Sequence, residues 1–495
     1  MHIRGTPEQM GYAASALGAP MDLRIENEML DRMDTLVPNL YARWFLLRAV
    51  GLDMLNLPHY VPLDIQREIY AESLAHPDLH SYLMPMYPRL LAYHALDDIS
   101  QNLVDNPLID RHAVGCTGVI SKPAWSGDGH LWLARNFDFE CGPAFNHQKS
   151  ITFVRPNHGY GFATVAWPGL AGCVTGMNEK HIGLFINAAA SASFRPVGEP
   201  TIIVARQVLQ FASHIRQAIA MFRRAHVFVT NIIVVGNGRT GRAAVLEKSP
   251  AHFAWRYINS HTAVTNQLEC PIFADDPVNM ARIADSTSNQ RLHRAKHLLD
   301  NLKGKVNEYT LAGLLRDKRS LHGRNIGWGN RNSIDALITT HSVIMDLTAG
   351  NIWIAAYPWA EGNYVGFPAL KILKGSPGAG YKSLPRLPIV PADSFLTKGR
   401  VKKFIRSKIA LTAGYKALAA RNWNRAVNRA DQAIADNPAF FGGYALRGRA
   451  ELASGRYRAA AADLSHALAQ YPPYAGRRKS LRFALNSARL EVRKK

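Results

Sequence analysis

Cysteine is scarce, with four residues (Cys116, Cys141, Cys173 and Cys270) in a chain of 495. That is too few for a disulfide scaffold, and none are spaced as CxxC. HExxH is also missing, so neither a structural zinc site nor a zincin is expected, and no metal or cofactor is called for. No apolar run reaches the ~18 residues that a membrane span needs; apolar stretches such as residues 44–57 are interrupted, here by Arg48 and Asp53. The first residues lack a charged start followed by an apolar core, so no secretory signal is read. The expected compartment is the cytoplasm, or the periplasm or exterior if further residues precede. Acidic residues are the last shortage, 37 against 59 Lys and Arg.

The chain has ample length for a sizeable core, and its composition (47% hydrophobic, 19% charged) excludes wholesale disorder. The basic excess is uneven. Residues 401–495 hold 20 Lys and Arg against five acids, whereas the first 400 hold 39 against 32. Such a tail suits an acidic protein partner or an anionic membrane surface. Nucleic acid is a weaker reading, because the tail lacks an aromatic-interleaved motif. Self-association is left open.

Residues 1–110 read mostly as helix, with apolar residues three and four apart over residues 65–75 and 90–103. From Thr117 short strands with glycine turns take over: "TGVIS", "HLWLARNFDFE", "SITFVRP", "FATVAW", "IGLFINAAA", "NIIVVGN" and "RAAVLEK". Amphipathic stretches over residues 205–224 and 280–301 interrupt them, and "SVIMDL" and "NIWIAAYP" close as a hairpin. The predicted class is α+β with antiparallel sheets. Residues 375–400, dense in Pro and Gly, read as a linker. Beyond it a repeat appears at an offset of 34: Gly414 and Gly448, Leu418 and Leu452, Trp423 and Tyr457, Ala426 and Ala460, Ala433-Ile434 and Ala467-Leu468, Pro438 and Pro472. This resembles the tetratricopeptide repeat, with capping helices over residues 407–411 and 480–492.

Residues 236–241 satisfy GxGxxG, but a strand follows where a dinucleotide site needs a helix, so the glycines are read as a hairpin turn. The chemically informative stretch is residues 112–140. Cys116 stands where helix-rich sequence gives way to strands, and the next strand carries Arg135, Asn136 and Asp138. A cysteine at a strand start is commonly inert core. However, an apolar strand bearing Arg, Asn, Asp and Glu is costly without a purpose, and a nearby arginine favours a thiolate. His112, His130 and His261 show no metal-ligand spacing.

At these residues the chain resembles the N-terminal-nucleophile hydrolases of the choloylglycine hydrolase and penicillin V acylase type. It resembles the acyl-CoA:6-aminopenicillanic acid acyltransferase family more closely. The matching pieces are "GCT" (115–117), "ARNFDFE" (134–140), "GMNEKHIGLFIN" (176–187), "TNIIVVGNGRTGRAAVLE" (230–247), "TAVTN" (262–266), "STSNQRLHRA" (286–295) and "SVIMDLTAGNIWIA" (342–355). The resemblance implies an αββα sandwich, self-cleavage between Gly115 and Cys116, and a nucleophilic Cys116 whose freed α-amino group is the general base. It implies that Asp138 holds that amino group and Arg135 sits beside the thiolate. Asn266 and the backbone N–H of Asn187 would receive the oxyanion, with Arg291 supporting the site. Asn178 and Glu179 read as turn residues, and His181 departs from the glycine the family usually has there.

The implied domains are a helical segment 1–115 (a cleaved subunit or propeptide), a catalytic domain 116–374, the linker 375–400 and a basic repeat domain 401–495. The implied activity is hydrolysis or acyl transfer on a linear N-acyl amide through a Cys116 thioester. The alternative is a catalytically inactive scaffold whose repeats recruit a protein. Phe137, Phe139, Phe145 and Trp167 are read equally as an acyl pocket or as plain core.

Overall fold

A computed structural model describes residues 1–43, 45, 48, 54–95, 98, 115–140, 142–375 and 384–494. Cys141 and His112 lie outside the described residues. Among the described residues there are fifteen strands: β1 (His2–Gly5), β2 (Thr117–Ser121), β3 (Trp132–Asp138), β4 (Ser150–Pro156), β5 (Phe162–Ala166), β6 (Thr175–Asn178), β7 (Ile182–Ala188), β8 (Asn231–Asn237), β9 (Arg242–Lys248), β10 (Phe253–Tyr257), β11 (His261–Val264), β12 (Thr339–Asp346), β13 (Asn351–Ala355), β14 (Tyr364–Phe367) and β15 (Leu387–Val390). One sheet has the order β1-β4-β5-β6-β7-β8-β9-β10, the other β11-β2-β3-β12-β13-β14-β15. All neighbours are antiparallel except β1, which joins β4 in parallel.

The two sheets pack face to face, and helices cover their outer faces. Strand alternation sets the layers. On β8, Ile232 and Val234 face the other sheet while Ile233 and Val235 face helices. On β3, Leu133 faces the other sheet, whereas Trp132 and Ala134 face helices. A strand covered on both faces needs apolar residues throughout, which is why "NIIVV" is continuous rather than alternating.

One outer layer holds α5 (Thr201–Phe211) and α6 (Ile215–Arg224), and the other holds α8 (Ser288–Asp300) and α9 (Glu308–Leu315). The single amphipathic stretch predicted over residues 205–224 is two helices. Ala212 is extended and His214 restarts the second helix, its ring nitrogen accepting from Gln217 N at 3.2 Å. Residues 280–301 divide likewise, into α7 (Pro277–Asp285) and α8 around an extended Ser286. The GxGxxG glycines turn the β8–β9 hairpin, as expected. Asn237 Oδ1 caps that turn on the N–H groups of Arg239 and Thr240.

The N-terminal segment is built into this core. It contains α1 (Pro7–Leu36), α2 (Leu63–Ala75) and α3 (Met86–Tyr93). The α1 start carries a capping box between Thr6 and Gln9. Glu68 of α2 pairs with Arg206 of α5 at 2.9 Å, both nearly fully buried, and Asp98 receives the N–H and hydroxyl of Thr201. After α4 (Pro143–His147) and α10 (Ala369–Lys374), the stretch read as a linker contributes β15 and α11 (Ser394–Thr397).

The C-terminal region is all helix: α12 (Arg400–Ala419), α13 (Trp423–Asp436), α14 (Phe441–Ala453), α15 (Tyr457–Ala469) and α16 (Ala475–Lys494). It is bonded to the sheet domain. Asn437 exchanges two hydrogen bonds with the Trp328 backbone, at 3.1 and 2.9 Å, and Asn332 donates to the Tyr471 carbonyl at 2.9 Å. Among the described residues no helix is long and apolar enough to cross a membrane.

Gly118 on β2 sets how closely the sheets approach. A Cβ there would stand 2.3 Å from the Phe185 ring of the facing sheet. Gly118→Ala is therefore expected to destabilise the fold by about 2 kcal/mol, read by urea unfolding, because the buried ring has no free space to retreat into.

Candidate active site

Cys116 is fully buried at the entry to β2. In β2 and β3 the register places Thr117 opposite Asn136 and Gly118 opposite Arg135. Side chains two apart share a face, so Cys116, Gly118 and Arg135 look towards the other sheet, while Thr117, Asn136 and Asp138 look towards α8 and α9. The two residues assigned to the nucleophile's surroundings thus stand on opposite faces of one strand. Arg135 is on the thiol's side and Asp138 on the side of the backbone at Gly115–Cys116.

Arg135 is fully buried. Its guanidinium lies 4.7 Å from the Phe137 ring and 5.5 Å from the Phe185 ring, and donates to Thr175 Oγ1 at 3.1 Å. A buried guanidinium keeps its charge, so aromatic faces and hydroxyl acceptors stand in for water. Thr175 Oγ1 is in turn 3.1 Å from His341 Nε2, and the His341 ring stacks on Phe137. Burial and the charge of Arg135 hold His341 well below the usual histidine range, as a neutral ring.

Asp138 accepts from Thr339 Oγ1 at 2.6 Å, and its backbone carbonyl accepts the Gly115 N–H at 3.0 Å. A Cβ on Gly115 would be 3.6 Å from Asp138 Oδ2, so the carboxylate lies against the Gly115–Cys116 backbone. Burial pushes the Asp138 carboxyl up to about 6, against the pull of Thr339, Arg291 and Arg331. In this continuous chain the Cys116 nitrogen is an amide. A free ammonium there would add a further cation beside the carboxylate, next to Arg291 and Arg331.

Arg291, on α8, ties the pieces together. Its guanidinium donates to the Cys116 carbonyl, to Thr117 Oγ1 at 2.8 Å and to Asn266 Oδ1 at 2.8 Å. Arginine only donates, so Asn266 must present its oxygen to Arg291 and its Nδ2 to the other side, where it donates to the Ala188 carbonyl at 2.9 Å. Asn187 Nδ2 donates to the carbonyls of Val264 and Thr265. Asn187 and Asn266 are therefore adjacent. The second N–H of Asn266 and the Asn187 backbone are the two donors the resemblance assigns to an oxyanion.

The structure thus brings Gly115, Cys116, Asp138, Asn266, Arg291 and Asn187 together, with Arg135 on the thiol's face. Sequence reasoning missed Thr339, Ser288, Arg331 and Tyr474. Ser288 Oγ accepts from the Asn266 N–H at 3.0 Å. Arg331 lies near Asp138 and donates to the hydroxyl of Tyr474, from the C-terminal helical region, at 3.2 Å. No local pattern marks these residues, because each acts across a fold-level contact. Asn178 is a turn residue as read, its Oδ1 accepting from the N–H groups of Lys180 and Ile182. His181 has φ +66°, the left-handed region that suits glycine. Its Nδ1 hydrogen-bonds the Leu347 carbonyl at 2.9 Å.

Cys173 is inert core, its thiol pushed up to about 12 by burial. His130, read without metal spacing, stands with Asp128 and Asp346 within reach of a shared ion. Asp346 also takes the N–H groups of Thr348 and Ala349, which accounts for it as turn support.

Residues 125–356 match the family described as AAT: Acyl-coenzyme A:6-aminopenicillanic acid acyl-transferase. The match covers a little under half of the chain and begins downstream of Cys116. An uncharacterized protein of Archaeoglobus fulgidus is 23% identical over 400 residues, 73% of this chain; the chain spans 64% of that relative's length. Among solved structures, a Caenorhabditis elegans N-acylethanolamine-hydrolyzing acid amidase ortholog aligns at 16% identity over 47% of this chain and 93% of that one, with a TM-score of 0.34. A mutant conjugated bile acid hydrolase of Clostridium perfringens aligns at 14% identity over 49% and 89%, also at 0.34.

Because the folded carboxyl of Asp138 titrates near 6 and an unfolded one near 3.9, the folded state holds the extra proton between those values. Its contribution is full below pH ~4 and is lost as pH rises through ~6. Asp138→Asn should therefore gain stability over the parent between pH 4 and pH 7, by up to about 3 kcal/mol, in paired denaturation curves.

Proposed function

We propose that the chain is a self-processing amidohydrolase or acyltransferase acting on a linear N-acyl amide through a Cys116 thioester. The observation that carries this reading is the clustering of Cys116, Asp138, Asn266 and Arg291 at the Gly115–Cys116 bond. In the cut form the α-amino group of Cys116 takes the thiol proton, and Asp138 holds the resulting ammonium. The thiolate attacks the amide carbonyl, and the oxyanion is received by Asn266 Nδ2 and the Asn187 N–H. The ammonium then protonates the leaving amine, and water or a second amine takes the acyl group from sulfur. Arg135, its charge fixed, favours the thiolate.

A cut at Gly115–Cys116 would leave the N-terminal segment attached as a subunit, because β1, the Glu68–Arg206 pair and Asp98 tie it to the core. The C-terminal helices are read as two tetratricopeptide-type repeats with α16 as the cap after them, while residues 407–411, expected as a cap before them, are part of α12. Trp423 and Tyr457 each open a helix, and Gly414 and Gly448 each admit a leucine of a neighbouring helix. Their basic surface suits an acidic partner or an anionic membrane.

Wild type is expected to separate on a denaturing gel into pieces of about a quarter and three quarters of the chain, and Cys116→Ala to run as one band. An uncut wild-type chain that also forms no acyl adduct by mass would sink the proposal. In cut enzyme, Asn266→Ala should lower kcat about 10²- to 10³-fold, as loss of one oxyanion donor does.

A further inference from the structure

Between the N-terminal helices and the sheets lies a cavity with two unlike walls. One is aromatic, formed by Phe137, Phe139, Phe145 and Trp167 packed edge to face. The other carries carboxyls from Asp22 and Glu26 of α1 and Glu72 of α2. The cavity adjoins the candidate site, since Phe137 and Val174 line it and also contact Arg135.

The charges in this wall do not balance. Glu26 pairs with Arg89 at 3.0 Å, and Glu68 behind it pairs with Arg206. Asp22 and Glu72 have neither an ion pair nor a hydrogen bond among the described residues, although Glu72 is only 3% exposed and Asp22 Oδ2 is buried. Burial, with Glu26 beside it, pushes Asp22 up to about 9, and burial, with Asp22 and Glu68 beside it, pushes Glu72 well above the carboxylate range. Two buried carboxyls without a counter-ion are costly to ionise and stay protonated, and an arriving cation would lower that cost. Gly169 keeps them uncovered: a Cβ there would stand 2.4 Å from Glu72 Oε1 and 2.9 Å from Asp22 Oδ2.

We propose that this cavity binds an amphipathic cation, its apolar chain against the aromatic wall and its ammonium group between Asp22 and Glu72. Resting on the reaction proposed above, this names the substrate class: N-acyl amides bearing an amino group at the end of an apolar chain remote from the scissile bond. The cavity is also lined by His94, whose Nε2 accepts from the Ala171 N–H as a neutral ring, by Tyr93, which donates to Glu26, and by His76, whose Nδ1 bonds the Pro77 carbonyl. The carboxyls must give up protons to a cation, so affinity should rise with pH.

The test is calorimetry on the full chain with hexylammonium, hexanol and hexanoate. Hexylammonium is expected to bind at least about tenfold more tightly than hexanol, with hexanoate weakest. Its affinity should strengthen from pH 6 to pH 9. Glu72→Gln and Asp22→Asn should each erase the preference while Tm holds or rises, because each removes a strained buried carboxyl. Equal binding of hexanol, or a preference that survives both substitutions, overturns the proposal. A second arm incubates the protein with an N-acyl amide ending in an amine and with its des-amino analogue, reading Cys116 adducts by mass. Adducts without cation preference sink the head-group assignment alone. Cation preference without any adduct sinks the reaction alone.

Discussion

One buried cation holds the candidate site together. Arg291 is fully enclosed and cannot shed its proton, so every direction in which it donates must meet an acceptor. It finds them on three segments: the Cys116 carbonyl and Thr117 on β2, Asn266 after β11, and Thr287 at the start of its own helix. This demand pins α8 over the Cys116 junction and orients the Asn266 amide. The negative charge that balances it comes from Asp138, across the same strand pair.

Around that centre three distant parts of the chain converge. The sheets supply Cys116, Asp138 and the two asparagines. The N-terminal helices supply one wall of the cavity beside them, with carboxyls where the opposite wall is aromatic. The C-terminal helices reach back through Tyr474 to Arg331, whose charge acts on Asp138. A region that reads in sequence as a tethered basic module is therefore bonded to the same loop that borders the site.

Much of the sheet domain was legible because its signals are local. "TGVIS" is β2, residue for residue, and the β8–β9 and β12–β13 hairpins sit where glycine turns separate apolar runs. The candidate residues were legible for another reason: they lie in short motifs whose order resembles a family. What escaped notice lacked periodicity or motif. The breaks at Ala212 and Ser286 interrupt amphipathic runs that the helical period alone carries straight through. Thr339 meets Asp138 across about 200 residues, a pairing decided by strand order rather than by neighbours in sequence.

The sequence by itself determined which residue types were available for chemistry and where strands begin and end, because turn residues and side-chain alternation act over a few positions. The family resemblance added their roles, from Cys116 to Arg291. It could not say which charges would be left uncompensated. No local pattern marks Asp22 or Glu72 on α1 and α2. Only packing α1 and α2 against an aromatic wall removed their water and brought no cation in exchange. The scarcity of cysteine resolves the same way: among the described thiols Cys116, Cys173 and Cys270 all are buried, and tertiary contacts alone set Cys116 against Asp138 and Arg291 while leaving Cys173 in inert core.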